Sequence, residues 1–452
     1  IVFFHFLMGT IKSLTRVCEK SLCLYPGVTR GHELGFEVIR MTNIFEAASR
    51  SNSMFSDRRV FDPRHSPSTL RHRDAQVHAM VLNLADALEG HIPGNMILYG
   101  PTGAGKTAAA RFVIQQLEER AEAIGSTVIS HEINAQHTNT RYRVLHSIAT
   151  QLWEQGDDNI PFTGWPADRV LEETVRRMDR CSGVHVIVLD EMDRLATQSE
   201  EQLLYDLTTL NVLLSKARAS IIGISNDLSF TDSLTGPIRS RLSAEDIVFT
   251  PYTSDQVNDI LIDRAKDGLR EGAWNESGIR LCADLAAKEH GDARRAIELL
   301  RVSAQRAEIS DANSIDIEHV ISAQSQMEQD RAITLMRGLP DHQKLILMSI
   351  LINQRNGVHT QNSGTIWETY TQACARAGFR PLTSRRVSTI INEFDLAGLA
   401  HVKNVFLGRH GRTKHVYSLI PKGIDAIQIL SQDNPGLEAA SRGAYKLQRR
   451  LG

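Results

Sequence analysis

The chain has 452 residues, too many for one hydrophobic core, so several domains of ordinary size are expected. Its 51 basic and 53 acidic residues leave a formal net charge of −2, which excludes a whole-chain attraction to a polyanion and confines any nucleic-acid surface to a local patch. The five cysteines, Cys18, Cys23, Cys181, Cys282 and Cys374, lack CxxC pairs and histidines at ligand spacing, which argues against a zinc site and against a disulfide framework.

Residues 1–8 are apolar, but the run is far shorter than the ~20 residues a membrane span needs. It also lacks the basic region that precedes a signal-peptide core, so no membrane partner is expected. Residues 1–40 show neither helix nor strand period and Met41 reads as a protein start; residues 1–54 are therefore expected to be an extension, disordered or upstream of the true start. From Leu70 onward short apolar runs alternate with amphipathic stretches. Strands are predicted at 95–99, 127–133, 184–189, 220–224 and 246–249, with helices between them such as 108–123, closed by Gly125. Such alternation predicts an α/β fold over 55–250, a doubly wound parallel sheet of five strands. After Pro251 the β-branched runs stop, and residues 251–325 read as an all-helical unit. Within 330–420, helices predicted at 341–353, 365–377 and 383–396 precede strand-like runs at 400–405 and 415–419, which flank glycines at 408 and 411. Three helices and a β-ribbon make a winged helix, followed by a tail at 421–452.

Between the first strand and its helix lies Gly100-Pro101-Thr102-Gly103-Ala104-Gly105-Lys106-Thr107, a complete G-x-x-x-x-G-K-[ST] loop. In that context its amides and the helix N-terminus cradle phosphate, Lys106 bridges the outer phosphates, and the Thr107 hydroxyl meets magnesium. ATP or ADP with Mg2+ is the expected ligand. The third predicted strand ends in Asp190 and Glu191, at the carboxyl edge where α/β sheets bind ligands. Asp190 is expected to hold the metal through water and Glu191 to act as the base on the attacking water. Asn226, after the fourth strand, could orient that water, although asparagine is also a common turn former.

The order of phosphate loop, acidic strand end, Asn226, an arginine-bearing segment and Gly291-Asp292-Ala293-Arg294 resembles an AAA+ ATPase. The resemblance implies a helical lid, with Asn226 as first sensor and Arg294 as the second, reporting hydrolysis as a domain rotation. Segments 70–74, 140–144, 160–166, 225–230 and 289–294 are further similar to the archaeal origin-recognition and initiator ATPases, relatives of the largest origin-recognition subunit and the cell-division-control-six loader. That likeness runs from about Phe55 to Leu419 and places Arg73 in the adenine-side box. It also makes the insertion at 138–166 a DNA-touching element, with Arg141 and Arg143 as candidate contacts. The family's proline-arginine pair for an arginine finger is replaced by Gly236-Pro237-Ile238-Arg239-Ser240-Arg241, leaving Arg239 or Arg241 to complete another subunit's site.

From Arg380 to Leu419 seven basic side chains face only Glu393 and Asp395. Arg385 and Arg386 open the predicted third helix, where a recognition helix enters the major groove, and Arg409, Arg412 and Lys414 stud the hairpin. The resulting expectation is an ATP-regulated replication initiator on duplex origin DNA, with a replicative helicase and a second copy on DNA as implied partners. It would be cytoplasmic and nucleoid-associated, and its ATPase slow. A ring-forming AAA+ motor or clamp loader, and a winged-helix transcription regulator with a vestigial nucleotide site, are the alternatives.

Overall fold

The computed structural model describes residues 53–442 and 445, apart from 64, 66, 68, 139, 196–200, 290, 359 and 407–411. The expectation about residues 1–40 and a start at Met41 lies outside these, as do Cys18 and Cys23.

The α/β domain contains helices α1 (Asp74–Leu84), α2 (Lys106–Ile124), α3 (Arg141–Gln151), α4 (Ala167–Cys181), α5 (Glu201–Leu213), α6 (Phe230–Ser233) and α7 (Gly236–Leu242). Its strands are β1 (Met96–Tyr99), β2 (Val128–Asn134), β3 (Val184–Asp190), β4 (Arg218–Ser225) and β5 (Glu245–Val248), all parallel, in the order β2-β3-β4-β1-β5. The central strands β3, β4 and β1 are short, nearly continuous buried runs because both faces are covered, whereas the edge strands β2 and β5 carry exposed polar residues. Alternation sends Ile97, Tyr99, Ile187, Leu189 and Ile221 into a layer with α3, α4, α5 and α7, and Met96, Leu98, Val186, Val188 and Ile222 into a layer with α1 and α2. This is the five-stranded doubly wound sheet expected. Because the strands run parallel, their carboxyl ends share one edge, with Tyr99 beside Ser225 and Asn134 beside Asp190.

Helices α8 (Ser254–Gly268), α9 (Glu276–Lys288), α10 (Ala293–Ile309) and α11 (Ile317–Gly338) form the lid. A capping box starts it: Thr253 Oγ1 accepts from the Gln256 amide and Gln256 Oε1 accepts from that of Thr253. One of the sequence-drawn boundaries is corrected here. Residues assigned to an extension ending at 54 and to a sheet domain starting at 55 belong to the lid: Met54, Phe55, Val60 and Phe61 sit in its core. The Met54 amide (2.8 Å), Ser53 Oγ (2.7 Å) and Arg58 Nη2 (2.8 Å) converge there on the Glu308 carboxylate. The division drawn at 325–330 falls inside α11, whose Val320 and Ala323 pack in the lid and whose Ala332 and Met336 pack in the next domain, so one continuous helix carries the change of core.

The C-terminal domain is a winged helix built from α12 (Asp341–Arg355), β6 (Gln361–Asn362), α13 (Ser363–Ala377), α14 (Ser384–Ala397), β7 (Ala400–Phe406) and β8 (Arg412–Ser418), with sheet order β6-β8-β7. Strand β6 has two residues, too few to show a period. The expected tail at 421–452 is also corrected, since α15 (Ala426–Ser431) and α16 (Pro435–Ser441) bring Leu430, Leu437 and Ala440, all fully buried, into the same core as Val387 and Ile391. Asp433, between them, accepts from the buried Lys344 of α12 at 2.6 Å.

Beneath β2 and β3, His131 and His185 stack fully buried, with His131 Nε2 3.0 Å from His185 Nδ1 and His131 Nδ1 2.9 Å from Gln151 Oε1. Burial pushes both imidazoles below their ordinary range, His185 to about 4. The unfolded chain thus binds protons that the folded chain refuses, so stability present above about pH 6.5 is lost as pH falls toward 4. For His185 alone this predicts a loss of about 2 kcal/mol between pH 7 and pH 5. Urea unfolding of this domain at the two pH values checks it, and an equal pH dependence in His185→Gln would remove the assignment.

Candidate functional site

The phosphate loop leaves β1 at Gly100 and enters α2 at Lys106, which puts a helix N-terminus at the carboxyl edge of the sheet. Gly103 adopts φ 75°, and a Cβ there would overlap the Asp292 carboxylate, so only glycine lets the lid close on the loop. The contact is made by the amide of Ala293, 3.3 Å from the Gly103 carbonyl. Asp292 in turn caps α10, accepting from the amides of Arg294 (2.9 Å) and Arg295 (3.2 Å), and so presents exposed Arg294 in the first turn beside the loop.

Lys106 is almost wholly buried. Its Nζ donates to the carbonyls of Gly100 (2.6 Å) and Pro101 (2.9 Å) and to Asn226 Oδ1 (3.0 Å). Burial pulls this ammonium down to about 8; Asp190 opposes that and Arg294 adds to it. Thr107 Oγ1 donates to Asp190 Oδ2 at 3.1 Å. Residues far apart in sequence, Lys106, Thr107, Asp190, Asn226 and Arg294, therefore lie around one loop. Thr102 is the exposed member of the loop, and Gly100, Ala104 and Lys106 are buried. Glu191 is held at φ 56°, a left-handed conformation that costs a non-glycine residue about 1–3 kcal/mol. Among the described residues no three His, Cys, Asp or Glu side chains gather as metal ligands. Thr107 and Asp190 nonetheless fit a hard cation whose other ligands come from phosphate and water.

Arg73, which the resemblance puts on the adenine side of the nucleotide, packs against the loop. Arg73 is buried behind the loop, where Nε donates to the Ala104 carbonyl (3.0 Å) and Nη2 to that of Thr250 (2.6 Å), with the guanidinium 3.8 Å from the Tyr252 ring centroid. It braces the loop. Tyr252 was not singled out in the sequence, and Asp292 entered only as part of the motif before Arg294, although as an N-cap residue directly before a helix it carried a readable signal. Arg239 and Arg241 both lie exposed on α7, the first 3.3 Å from Asp232 and the second 4.6 Å over the Tyr205 ring.

The two arginines of the insertion have different surroundings. Arg141 forms ion pairs with Asp168 (2.6 Å) and Asp206 that join α3, α4 and α5. Arg143 is exposed, 5.5 Å over the ring of Phe162, which is 65% exposed itself. In the winged helix Thr383 Oγ1 caps α14 through the Arg386 amide (3.4 Å), leaving Arg385 exposed in the first turn. Arg386 reaches Glu393 at 3.1 Å, and Lys414 Nζ ties the hairpin to α14 through Ser388 (3.1 Å) and Asn392 (2.8 Å). Arg409 and the side chain of Arg412 lie outside the described residues. No helix among the described residues is long and apolar enough to cross a membrane.

A loop of this geometry on a five-stranded parallel sheet, closed by a helical lid and followed by a winged helix, defines an AAA+ ATPase with a DNA-binding type of domain. Family models match in the same order: an AAA domain at 91–226, a Cdc6 AAA+ ATPase-type lid domain at 258–325, and a CDC6 C-terminal winged helix domain at 334–423. The chain is 39% identical over 376 residues to an ORC1-type DNA replication protein of Thermococcus onnurineus, covering 83% of this chain and 91% of that one. It is 40% identical over 375 residues to ORC1-type DNA replication protein 1 of Archaeoglobus fulgidus, covering 83% and 90%. Among solved structures, the Aeropyrum pernix ORC1 protein in complex with DNA matches with a TM-score of 0.72 and 40% identity over 84% of this chain and 97% of that one. The chain belongs to the ORC1-type DNA replication proteins.

Proposed function

We propose that this chain is a replication initiator that holds duplex origin DNA through its winged helix, under the control of ATP at the phosphate loop. The observation that carries the reading is the start of α14, where Arg385 is exposed in a first turn capped by Thr383 and Lys414 of the wing bonds Ser388 and Asn392 of the same helix. The relative from Aeropyrum pernix, solved with DNA, supports it. In the nucleotide site Lys106 supplies positive charge to the terminal phosphates, and Thr107 with Asp190 holds magnesium, which neutralises the phosphates when bound. Asn226 orients a water; Glu191 takes its proton as its oxygen bonds to the γ-phosphorus and the bond to the bridging oxygen breaks, releasing ADP. Arg294 reads that change from the lid, and Arg239 or Arg241 serves the site of a second copy on DNA. Arg143 adds a phosphate contact, as do Arg409 and Arg412 on the wing. Nucleoid-associated work in the cytoplasm and recruitment of a replicative helicase complete the proposal.

Arg385→Ala is expected to weaken binding at a preferred duplex by about 1–3 kcal/mol and to narrow the gap between that duplex and random DNA, as for a lost base contact. Fluorescence anisotropy across a salt series measures both. Wild-type affinity and salt slope in this variant and in Lys414→Ala would make the winged helix a protein-binding module and overturn the reading.

A further inference from the structure

The turn after β3 is clamped onto β4 at two points. Met192, fully buried, lies over Gly223, where any Cβ would overlap its Sδ. One residue on, Asp193 Oδ1 accepts from the backbone amide of Asn226 (3.3 Å) and from Ser225 Oγ (3.3 Å). The buried Ser225 hydroxyl accepts from the Asp227 amide at 3.0 Å and has its one proton within reach of both Asp193 and the Asp227 carbonyl (3.1 Å), so the backbone at Asn226 is the direct hold of Asp193. The same turn begins at Glu191, whose left-handed backbone follows Asp190 directly. Asp193 is close enough to Lys106 to favour its charged form. The carboxylate of Glu191 and the amide of Asn226 thus belong to one clamped unit, though they come from different strands.

We infer that Asp193 is a positioning residue for ATP hydrolysis, fixing Asn226 to the acidic turn so that the groups which orient and deprotonate the water keep one geometry. The inference rests on the nucleotide reading above. Asp193 touches neither water nor phosphate in this role; it acts through Asn226, and its loss should therefore leave nucleotide affinity in place while slowing turnover.

The test uses the full chain, with ATP affinity from calorimetry and single-turnover hydrolysis of labelled Mg-ATP. Asp193→Ala is expected to bind ATP within about threefold of wild type yet to hydrolyse it at least about tenfold more slowly, a smaller loss than the roughly 10²–10⁴-fold for removing a positioned acid or base itself. Asp193→Asn keeps an acceptor oxygen for the Asn226 amide and should recover to within about threefold of the wild-type rate. In an Asn226→Ala background Asp193→Ala should have no further effect on the rate, since residues acting as a unit are not additive. Should Asp193→Ala not fold, Gly223→Ala, which must displace Met192 and the turn, replaces it in the same cycle with the same expected outcome. A wild-type rate in the Asp193 variant, or a slowing just as large without Asn226, overturns the inference while leaving the nucleotide site intact. A wild-type chain that binds no ATP, or binds it and never cleaves it, removes the underlying reading instead, and Glu191→Gln run alongside separates the two.

Discussion

Lys106→Ala is expected to lower ATP affinity by about 10²-fold or more, because two or more charge-assisted hydrogen bonds to phosphate, each worth about 1.5–3 kcal/mol, disappear together. The free chain already holds this ammonium in place: it is almost fully buried and satisfied by the carbonyls of Gly100 and Pro101 and by Asn226. Its removal therefore leaves the interior of the loop without charge. The same burial adds a pH signature. With the Lys106 ammonium at about 8 in the free chain, near half of the molecules lack that proton at pH 8, and an arriving polyphosphate restores it. ATP binding at pH 8 should take up about half a proton per site and much less at pH 6.5. Calorimetry in buffers of different ionisation heat reads affinity and proton count together. Wild-type affinity in Lys106→Ala would overturn the site, and identical proton uptake at the two pH values would overturn the account of Lys106.

Truncation after Leu419 is expected to unfold the winged helix while sparing the nucleotide site. The deletion removes Leu430 and Leu437, both fully buried, and each is worth about 2–5 kcal/mol by comparison with core leucine deletions. It also removes Asp433, the half-exposed acceptor at 2.6 Å from the buried Lys344 ammonium. The sum is comparable with the whole stability of a small domain, about 5–15 kcal/mol. Limited proteolysis should show cleavage within 341–418, with DNA binding lost and ATP affinity kept within a few-fold. A truncated chain that melts and binds DNA like the full chain would show that α15 and α16 are dispensable.

Much of the architecture was legible because it obeys local rules. The apolar runs ending at Tyr99 and Asp190 are strands whose two faces are both buried, and that leaves a readable signal. The phosphate loop was legible for a different reason: its chemistry needs spaced glycines, a lysine and a hydroxyl, so the whole cradle is written in eight successive residues. The division into lid and winged helix was read close to where the packing changes, although one helix, α11, serves both cores. Residues 53–54 were read as extension, 55–61 as sheet domain, and helices α15 and α16 as tail, because short elements carry little periodic signal of their own.

By itself, then, the sequence determined the order of elements, the parallel sheet, the phosphate loop with its acidic strand end, and a basic winged helix. Only the tertiary structure decided which charged groups are free to act. Arg141 and Arg385 are both arginines in the first turn of a helix, yet Asp168 and Asp206, brought from distant segments, neutralise one and leave the other exposed. Arg73 is spent on the Ala104 and Thr250 carbonyls, and Asp193 is drawn onto Asn226, through pairings that span 31, 177 and 33 residues of chain. Charge type is a property of a residue, but its partner is a property of the fold, because a Coulombic contact depends on distance in space and not on separation along the chain.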